Sequence, residues 1–529
     1  MKFILILFLG LNIYSQNTFP YDVELIPVTI PNLPGLHSYA FAQHNGKWLI
    51  IGGRKDGIHA RQPFNAFSES QNNTDLYVID IGTQQFWSTT LNILPTGIKE
   101  QLQSTNMNFH QDGNTLIIIG GYAFAASVNN HITFDKLTTI NVPYLIEAIV
   151  SGNSITSYFK QISDPIFQNT GGQLGKIGNT FYLVGGQTFT GRYNPNNMPS
   201  FTQDYQTKVQ KFTIDNSSNQ LSFSNYSSVL DAVHLRRRDY NLVPQVFPNG
   251  VEGYTISSGV FQVNANLPFL YPVDIKADGH FPQTQFNQYL SNYHSGKIGI
   301  YDLANNRMHS LFFGGISQYY YNGSTLIQDD TCPFVKTISR VTRHGDGNLT
   351  EHNFPVEMPN LKGSGAEFIP NKNLAHYENE VLKLNEISGN EIILGHLYGG
   401  ILSSSKSAFT NNQTNLTAAD PTIYKVKLVF NPNLSVNNVD GKNPFQFTIT
   451  PNPAVEDKVR ISFYLDTIAD LDYFITSIEG RLLDEGQIIK TKLGENSFDL
   501  SLKNANEKIV LITFVLDNKF YNTQKVIKN

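Results

Sequence analysis

An all-β fold, with six small sheets in a ring followed by a smaller β-sandwich, is the class this sequence predicts, and three observations carry it. Apolar runs ending in paired glycines recur along most of the chain. The 529 residues include 40 glycines and 24 prolines but are only 15% charged, a profile of many short strands joined by turns and not of long helices or disorder. After residue 445 the pattern changes to longer alternating strands, and a chain of this size exceeds one ordinary core.

The chain starts with Met1 and Lys2, an apolar stretch from Phe3 to Leu11, and a more polar exit from Asn12 to Ser15. Residues 1–16 therefore read as an export signal cleaved near Ser15 and Gln16, since the apolar stretch is too short to span a bilayer. No later run is long enough, so no transmembrane segment is expected.

The glycine-paired runs are Trp48 to Gly53, Leu116 to Gly121, Phe181 to Gly186, Leu311 to Gly315 and His396 to Gly400. Their second glycines lie 68, 65, 129 and 85 residues apart, and the long gap holds a degenerate copy, Tyr254 to Gly259. Six units result. One small sheet cannot cover its own faces, but sheets stacked around an axis cover one another. Asn45-Gly46, Asp112-Gly113-Asn114 and Gly178-Asn179 supply hairpin turns before the paired glycines, and Asp75 to Asp80, Lys208 to Ile214 and Ile298 to Asp302 supply outer strands. Asp22 to Ile30 and Tyr424 to Phe430 are expected to share the last sheet and so remove an open edge.

The glycine pair, the spacer, a tyrosine-containing strand and, in the first unit, Trp87 resemble the kelch repeat family over roughly residues 22 to 430. The first three units keep the pattern best, and the fourth has lost its glycine pair. The resemblance implies a six-bladed kelch-like β-propeller over residues 20–431 followed, after a linker at 432–444, by a small C-terminal β-sandwich at 445–529. In that last part Ile449 to Ala454, Ile478 to Leu482, Asn496 to Leu500 and Gln524 to Lys528 resemble the C-terminal sorting domain of the Bacteroidetes type IX secretion system. One departure is Asn506 to Ile509, where that family has a Gly-Xaa-Tyr motif. The resemblance implies the type IX secretion machinery as a partner and passage through the periplasm to the outside or the outer cell surface.

A net charge of -5 over this length makes no broad field for nucleic acid. The single Cys332 forms no intramolecular disulfide and reads as a small core side chain. The 13 histidines are scattered without metal-ligand spacing, and no glycine pair is followed by the lysine and helix of a phosphate loop, so neither metal nor cofactor is expected.

In a propeller the residues leading into each inner strand gather at one mouth. These are His37, Asn106 and Asn108, Gln173, the run His234 to Tyr240, Tyr293 with His294, and Glu367. Asn106, Asn108, Arg237, Arg238, Asp239, Tyr240 and Tyr293 are the expected ligand-binding set. Arg236, Arg237 and Arg238 are the sharpest signal in a chain so poor in charge; strand alternation sends Arg237 one way and its neighbours the other. A guanidinium fork facing the mouth suits a carboxylate, sulfate or phosphate. The leading expectation is binding of an extracellular carbohydrate or surface protein. The alternative is a carbohydrate-active enzyme, an epimerase, lyase or hydrolase of an acidic sugar, with His37 or His294 carrying the proton and Glu367 orienting it. That layout is similar to the secreted kelch-type sialic-acid mutarotases, without a motif that transfers any role.

Overall fold

Short alternating strands bounded by tight turns pair with their nearest neighbours in sequence, and the computed structural model shows the outcome to be all-β. It describes residues 19–528 except 62–65, 195–199, 219, 432, 433, 435, 436, 489 and 490, so the expected export signal at 1–16 lies outside the described residues. Two short α-helices, Thr96–Leu102 and Val142–Ser151, interrupt the strands. No helix among the described residues is long and apolar enough to cross a membrane.

Ala40–His44, Lys47–Ile51, Asp75–Asp80 and Gln85–Thr90 make the first sheet, in sequence order, with Asn45 and Gly46 at its first turn. Four-stranded antiparallel paths recur in the next five sheets, whose first strands are Asn108–Asp112, Gln173–Ile177, Asn241–Val246, Gly296–Asp302 and Leu361–Pro370. The sixth takes its outermost strand from the other end of the chain: Tyr21–Val28 pairs antiparallel with Ile423–Phe430, from Tyr21 opposite Phe430 to Val28 opposite Ile423. This covers the edge that the last strand would expose.

Each sheet shares an apolar core with the next, and the sixth shares one with the first. Leu49, Ile51 and Val78 meet Leu116, Ile118 and Ile140 between the first and second sheets. Ile298, Leu311 and Phe313 meet Phe368, Leu397 and Val426 between the fifth and sixth. Trp48, Ile50 and Tyr77 meet Ile369, Tyr398 and Ile423 between the first and sixth.

The paired glycines explain how the sheets approach so closely. A Cβ on Gly120 would lie 1.8 Å from Asn169 O, and one on Gly399 would lie 2.1 Å from Leu36 O, each on the next sheet. Both glycines also have left-handed φ, +66° and +70°, which L side chains adopt at a cost. The degenerate fourth unit keeps this backbone with Ser258 at φ 56° and Gly259 at φ 98°.

Insertions account for the long units. Tyr122–Ala125 and Asn130–Thr133, from the second unit, pair with Gln187–Gly191 and Phe201–Tyr205, from the third, to form an additional four-stranded sheet. Beyond the sixth sheet, part of the expected linker is ordered as strand: Asn437–Val439 adds to the edge of the fifth sheet beside Leu349–Glu357.

The last part of the chain forms two antiparallel sheets, Phe447–Val455 with Lys458–Leu465 and Gly494–Ser501, and Leu471–Ser477 with Leu482–Ile488, Ile509–Leu516 and Phe520–Ile527. Phe447, Ile461, Ile475, Ile512 and Phe514 belong to their shared core. This part docks on the third and fourth sheets. Phe474, Val515 and Tyr521 join an apolar cluster with Tyr240, Phe269 and Tyr271. Tyr521 Oη donates to Gln262 Oε1 at 2.9 Å, and Gln262 Nε2 donates to Asn518 O at 2.7 Å.

Candidate functional site

The segments entering the six first strands close on one another through backbone hydrogen bonds. Ser38 N donates to Gly365 O, Asn106 N to Ser38 O, Gly171 N to Asn106 O, Asp239 N to Gly171 O, His294 N to Asp239 O, and Gly365 N to His294 O, at 2.7 to 3.1 Å. The loop of bonds is complete, one residue per sheet. Five of the six residues have left-handed φ, Ser38, Asn106 and Asp239 among them at 51° to 54°, which explains why small or Asn/Asp side chains occupy these positions. A narrow cavity of about 200 Å³ lies on one side of this ring and a wide cavity of about 640 Å³ on the other. Ser38, Asn106, Asp239 and His294 border both.

The wide cavity is cationic and aromatic. Arg54 is almost wholly buried and grips Asp56 with two bonds, Nε to Oδ1 at 2.8 Å and Nη2 to Oδ2 at 2.6 Å, while Nη1 donates to Asn72 Oδ1 at 2.9 Å. Burial alone would push the Asp56 carboxyl up, but His37 and the Arg54 fork outweigh it and hold it at about 2. His37 Nε2 is 3.8 Å from Asp56 Oδ1, and its Nδ1 is 3.1 Å from Ser38 Oγ. Across the cavity Arg238 pairs with Asp239, and its Nε donates to Tyr205 Oη at 3.1 Å. The Arg236 guanidinium lies over the Tyr205 ring, 3.7 Å from its centroid, and Nη1 donates to Phe261 O at 2.5 Å. Arg61 lies 5.6 Å from the Phe409 ring, with a buried Nε that has no hydrogen-bond partner. Arg61 and Arg236 form no ion pair among the described residues, so two guanidiniums keep uncompensated charge.

Rings line the same wall. His59 stacks on Phe67 at 4.7 Å and Tyr193 on Phe201 at 5.6 Å. Burial pushes His59 down to about 4, so it is a neutral ring at neutral pH. Phe201 and Tyr205 come from the inserted sheet. Tyr293 also borders the wide cavity; burial and the adjacent Cys332 thiol raise its phenol well above the ordinary range, and burial pushes Cys332 itself up to about 12.

The narrow cavity holds a triplet of titratable side chains, His294, Glu367 and Lys297. His294 Nε2 is 3.0 Å from Glu367 Oε1 without a well-directed hydrogen bond, and Lys297 Nζ is 4.0 Å from Glu367 Oε2. Burial acts to raise the Glu367 carboxyl, yet His294 and Lys297 bring it below its usual value. Burial lowers Lys297 in turn. Tyr240 is fully buried beside this cavity and donates to Val184 O at 2.5 Å; Gln173 Nε2 bonds to Tyr240 O.

The residues singled out from the sequence thus separate. His37, Asn106, Arg238, Asp239, Tyr293 and His294 border the wide cavity. Glu367 and Tyr240 border only the narrow one. Asn108 and Arg237 border neither, which corrects their expected place in the ligand set. Asn108 is spent on structure, its Nδ2 donating to Ile119 O and Asn169 O, both at 3.2 Å. Arg237 is fully buried, stacked on Phe269 and Tyr271, with bonds to His234 O, Ser258 O and Tyr271 O. The arginine run is irregular backbone, not a strand, with Arg238 bridging to Val260, and Arg237 still faces away from its two neighbours, which border the wide cavity.

Arg54, Arg61 and Tyr205 were not foreseen. A periodic signal for the first was present: Arg54, Tyr122, Gln187, Val260, Ile316 and Ile401 each directly follow a second glycine of a unit, and all six border the wide cavity. No group of three or more His, Cys, Asp or Glu side chains among the described residues is gathered as for a metal ion.

No protein-family model matches the chain. No curated protein matches it either. Among solved structures it is similar to one described as "Structure of YjhT", at 13% identity and a TM-score of 0.42, over 78% of this chain and 99% of that one.

Proposed function

We propose that this is an exported six-bladed kelch-like β-propeller that binds an acidic extracellular carbohydrate in its wide cavity, followed by a β-sandwich that acts as a type IX sorting domain. The propeller reading is supported by six sheets with cores between neighbours, the shared sixth sheet, and the unbroken loop of six backbone bonds. Export to the outside or the outer cell surface rests on the leader-like first 16 residues and the motifs after residue 445.

One observation carries the choice of ligand: among the described residues Arg61 and Arg236 have no carboxylate partner, and they sit among stacked rings. A guanidinium fork takes a carboxylate or sulfate, and ring faces take the apolar faces of a sugar. The volume of about 640 Å³ falls in the range of small-molecule sites. Calorimetric titration of acidic and neutral saccharides tests this. Arg236→Gln is expected to weaken an acidic saccharide by about tenfold to a hundredfold and leave a neutral one unchanged. Equal loss for both, or no binding of either, overturns the reading.

A second reading, an enzyme acting on an acidic sugar, is favoured by the His294–Glu367 contact at 3.0 Å directly below the ring. There His294, which borders both cavities, exchanges a proton with the sugar, and Glu367 fixes the imidazole and stabilises its charged form.

A further inference from the structure

Far along the fifth sheet from either cavity, five buried nitrogens lack partners. Arg340 is fully buried, and its Nε, Nη1 and Nη2 make no hydrogen bond. It stands opposite Leu311 on one neighbouring strand and His352 on the other. His309, also fully buried, uses Nδ1 on Thr342 Oγ1 at 2.9 Å and leaves Nε2 unpaired. His352 uses Nε2 on Thr350 Oγ1 at 3.1 Å and leaves Nδ1 unpaired. Phe19 roofs the group, its ring 4.8 Å from the Arg340 guanidinium and 4.7 Å from the His309 ring, and Phe354 lies 5.8 Å from the same guanidinium.

Among the described residues, the surroundings hold no paired counter-charge. The charged neighbours acting on Arg340, His309 and His352 are Arg307, His344 and one another, all cations or neutral imidazoles. Burial is the main cause that lowers all three, and Arg340 falls to about 9. Arg340 has no ion pair among the described residues, and Glu351, next to His352, is engaged with the Tyr289 and Leu290 amides. Residues 1–18 and 432–436, which adjoin Phe19 and the strand Asn437–Val439 in sequence, contain neither Asp nor Glu. A buried guanidinium with nothing to pair with is strongly unfavourable, and ring contacts offset only part of that cost.

We propose that a small inorganic anion of the halide class sits beneath Phe19, held by the Arg340 guanidinium and by the free ring nitrogens of His309 and His352. The site is a buried counter-ion position in the fifth sheet, separate from the saccharide cavity. Where Thr342 Oγ1 donates to His309 Nδ1, and Thr350 Oγ1 accepts from His344 Nε2 at 2.9 Å and donates to His352 Nε2, the remaining ring nitrogens of His309 and His352 carry protons and donate. The two phenyl rings leave an ion little room for its hydration shell, which favours a monoatomic anion over a hydrated or extended one.

Melting of the full chain in sodium bromide against sodium gluconate at equal ionic strength tests the proposal. Bromide is expected to raise Tm by about 1 to 2 °C per tenfold increase in concentration, through preferential binding to the folded state. Arg340→Met should abolish that dependence, and Arg236→Gln, in the wide cavity, should retain it. Crystals of the wild-type protein grown in bromide should show an anomalous peak within about 3.5 Å of the Arg340 guanidinium, a reading that does not depend on any variant folding. Absence of that peak, or the same bromide effect with and without Arg340, overturns the proposal.

Discussion

The wide and narrow cavities share one ring of backbone bonds and four bordering residues, yet they handle charge in opposite ways. In the narrow cavity each ionic group has a partner: Glu367 lies between His294 and Lys297, and burial is offset by pairing. In the wide cavity two arginines are paired internally, with Asp56 and Asp239, and two are not. A closed set of charges orients groups already present, whereas an open set leaves field for something that arrives. Under the proposed function, the difference would put recognition on the wide side and any proton transfer at His294 and Glu367 on the narrow one.

The largest effect that would break this division concerns Glu367. If a sugar is turned over, Glu367→Gln is expected to lower kcat by about 10²- to 10⁴-fold while saccharide affinity changes less than about twofold, as read by steady-state kinetics beside calorimetry. A matched loss of affinity would merge the two cavities into one site. Next comes Arg237, which belongs to neither. Arg237→Ala strands three buried carbonyls and is expected to cost about 3 kcal/mol in chemical denaturation, with saccharide affinity of the folded protein unchanged. Loss of affinity at intact stability would move Arg237 into the binding set.

A smaller effect is expected from Tyr205→Ala, which removes the ring under Arg236 and the hydroxyl that Arg238 Nε reaches. Affinity for an acidic saccharide should fall about tenfold in calorimetry. The mildest test is acid titration. His59 at the wide cavity and His110 at the narrow one are both held by burial at about 4, below the unfolded value of about 6.5. The unfolded chain therefore binds more protons between these values, so the stability these rings contribute is complete above about pH 6.5 and declines as pH falls toward 4. Asp56 continues the trend: with its carboxyl at about 2, its contribution is present above about pH 4 and is lost as pH falls toward 2. Thermal melts across this range should show a steady decline, and a flat profile from pH 6.5 to 4 would contradict neutral, buried imidazoles at both cavities.

The repeating part of the molecule was legible because its cause is local. Gly52-Gly53 and its relatives are required wherever a second strand passes under the next sheet, and the hairpin turns and pairing of the chain ends follow from strand pattern alone. The inserted sheet was not legible, because Asn130–Thr133 and Gln187–Gly191, its two central strands, meet only after two units have folded side by side. For the same reason Tyr205 gave no sign of lying under Arg236. Arg237 and Arg238 illustrate the limit at a site: adjacency and charge single out both and alternation separates their side chains, but which of them faces inward to Tyr271 and which outward to Tyr205 is decided by packing between sheets that alternation does not describe. Gln173 and Asn108 both read as channel groups for their polarity; Gln173 does border the narrow cavity, whereas Asn108 borders neither cavity and its amide serves neighbouring backbone.

The seam made by Tyr521, Asn518 and Gln262 gives the tail a second duty. Gln262 O accepts from Arg236, at 3.2 Å, so the same loop leans on the tail with its side chain and steadies a cavity arginine with its carbonyl. Clipping the chain after residue 444 would unroof Phe269 and Tyr271 and release that loop. Under the proposal that this tail is a sorting domain, label and buttress would be one element and delivery and ligand grip would be interdependent: a chain trimmed of the tail would grip differently from the intact one.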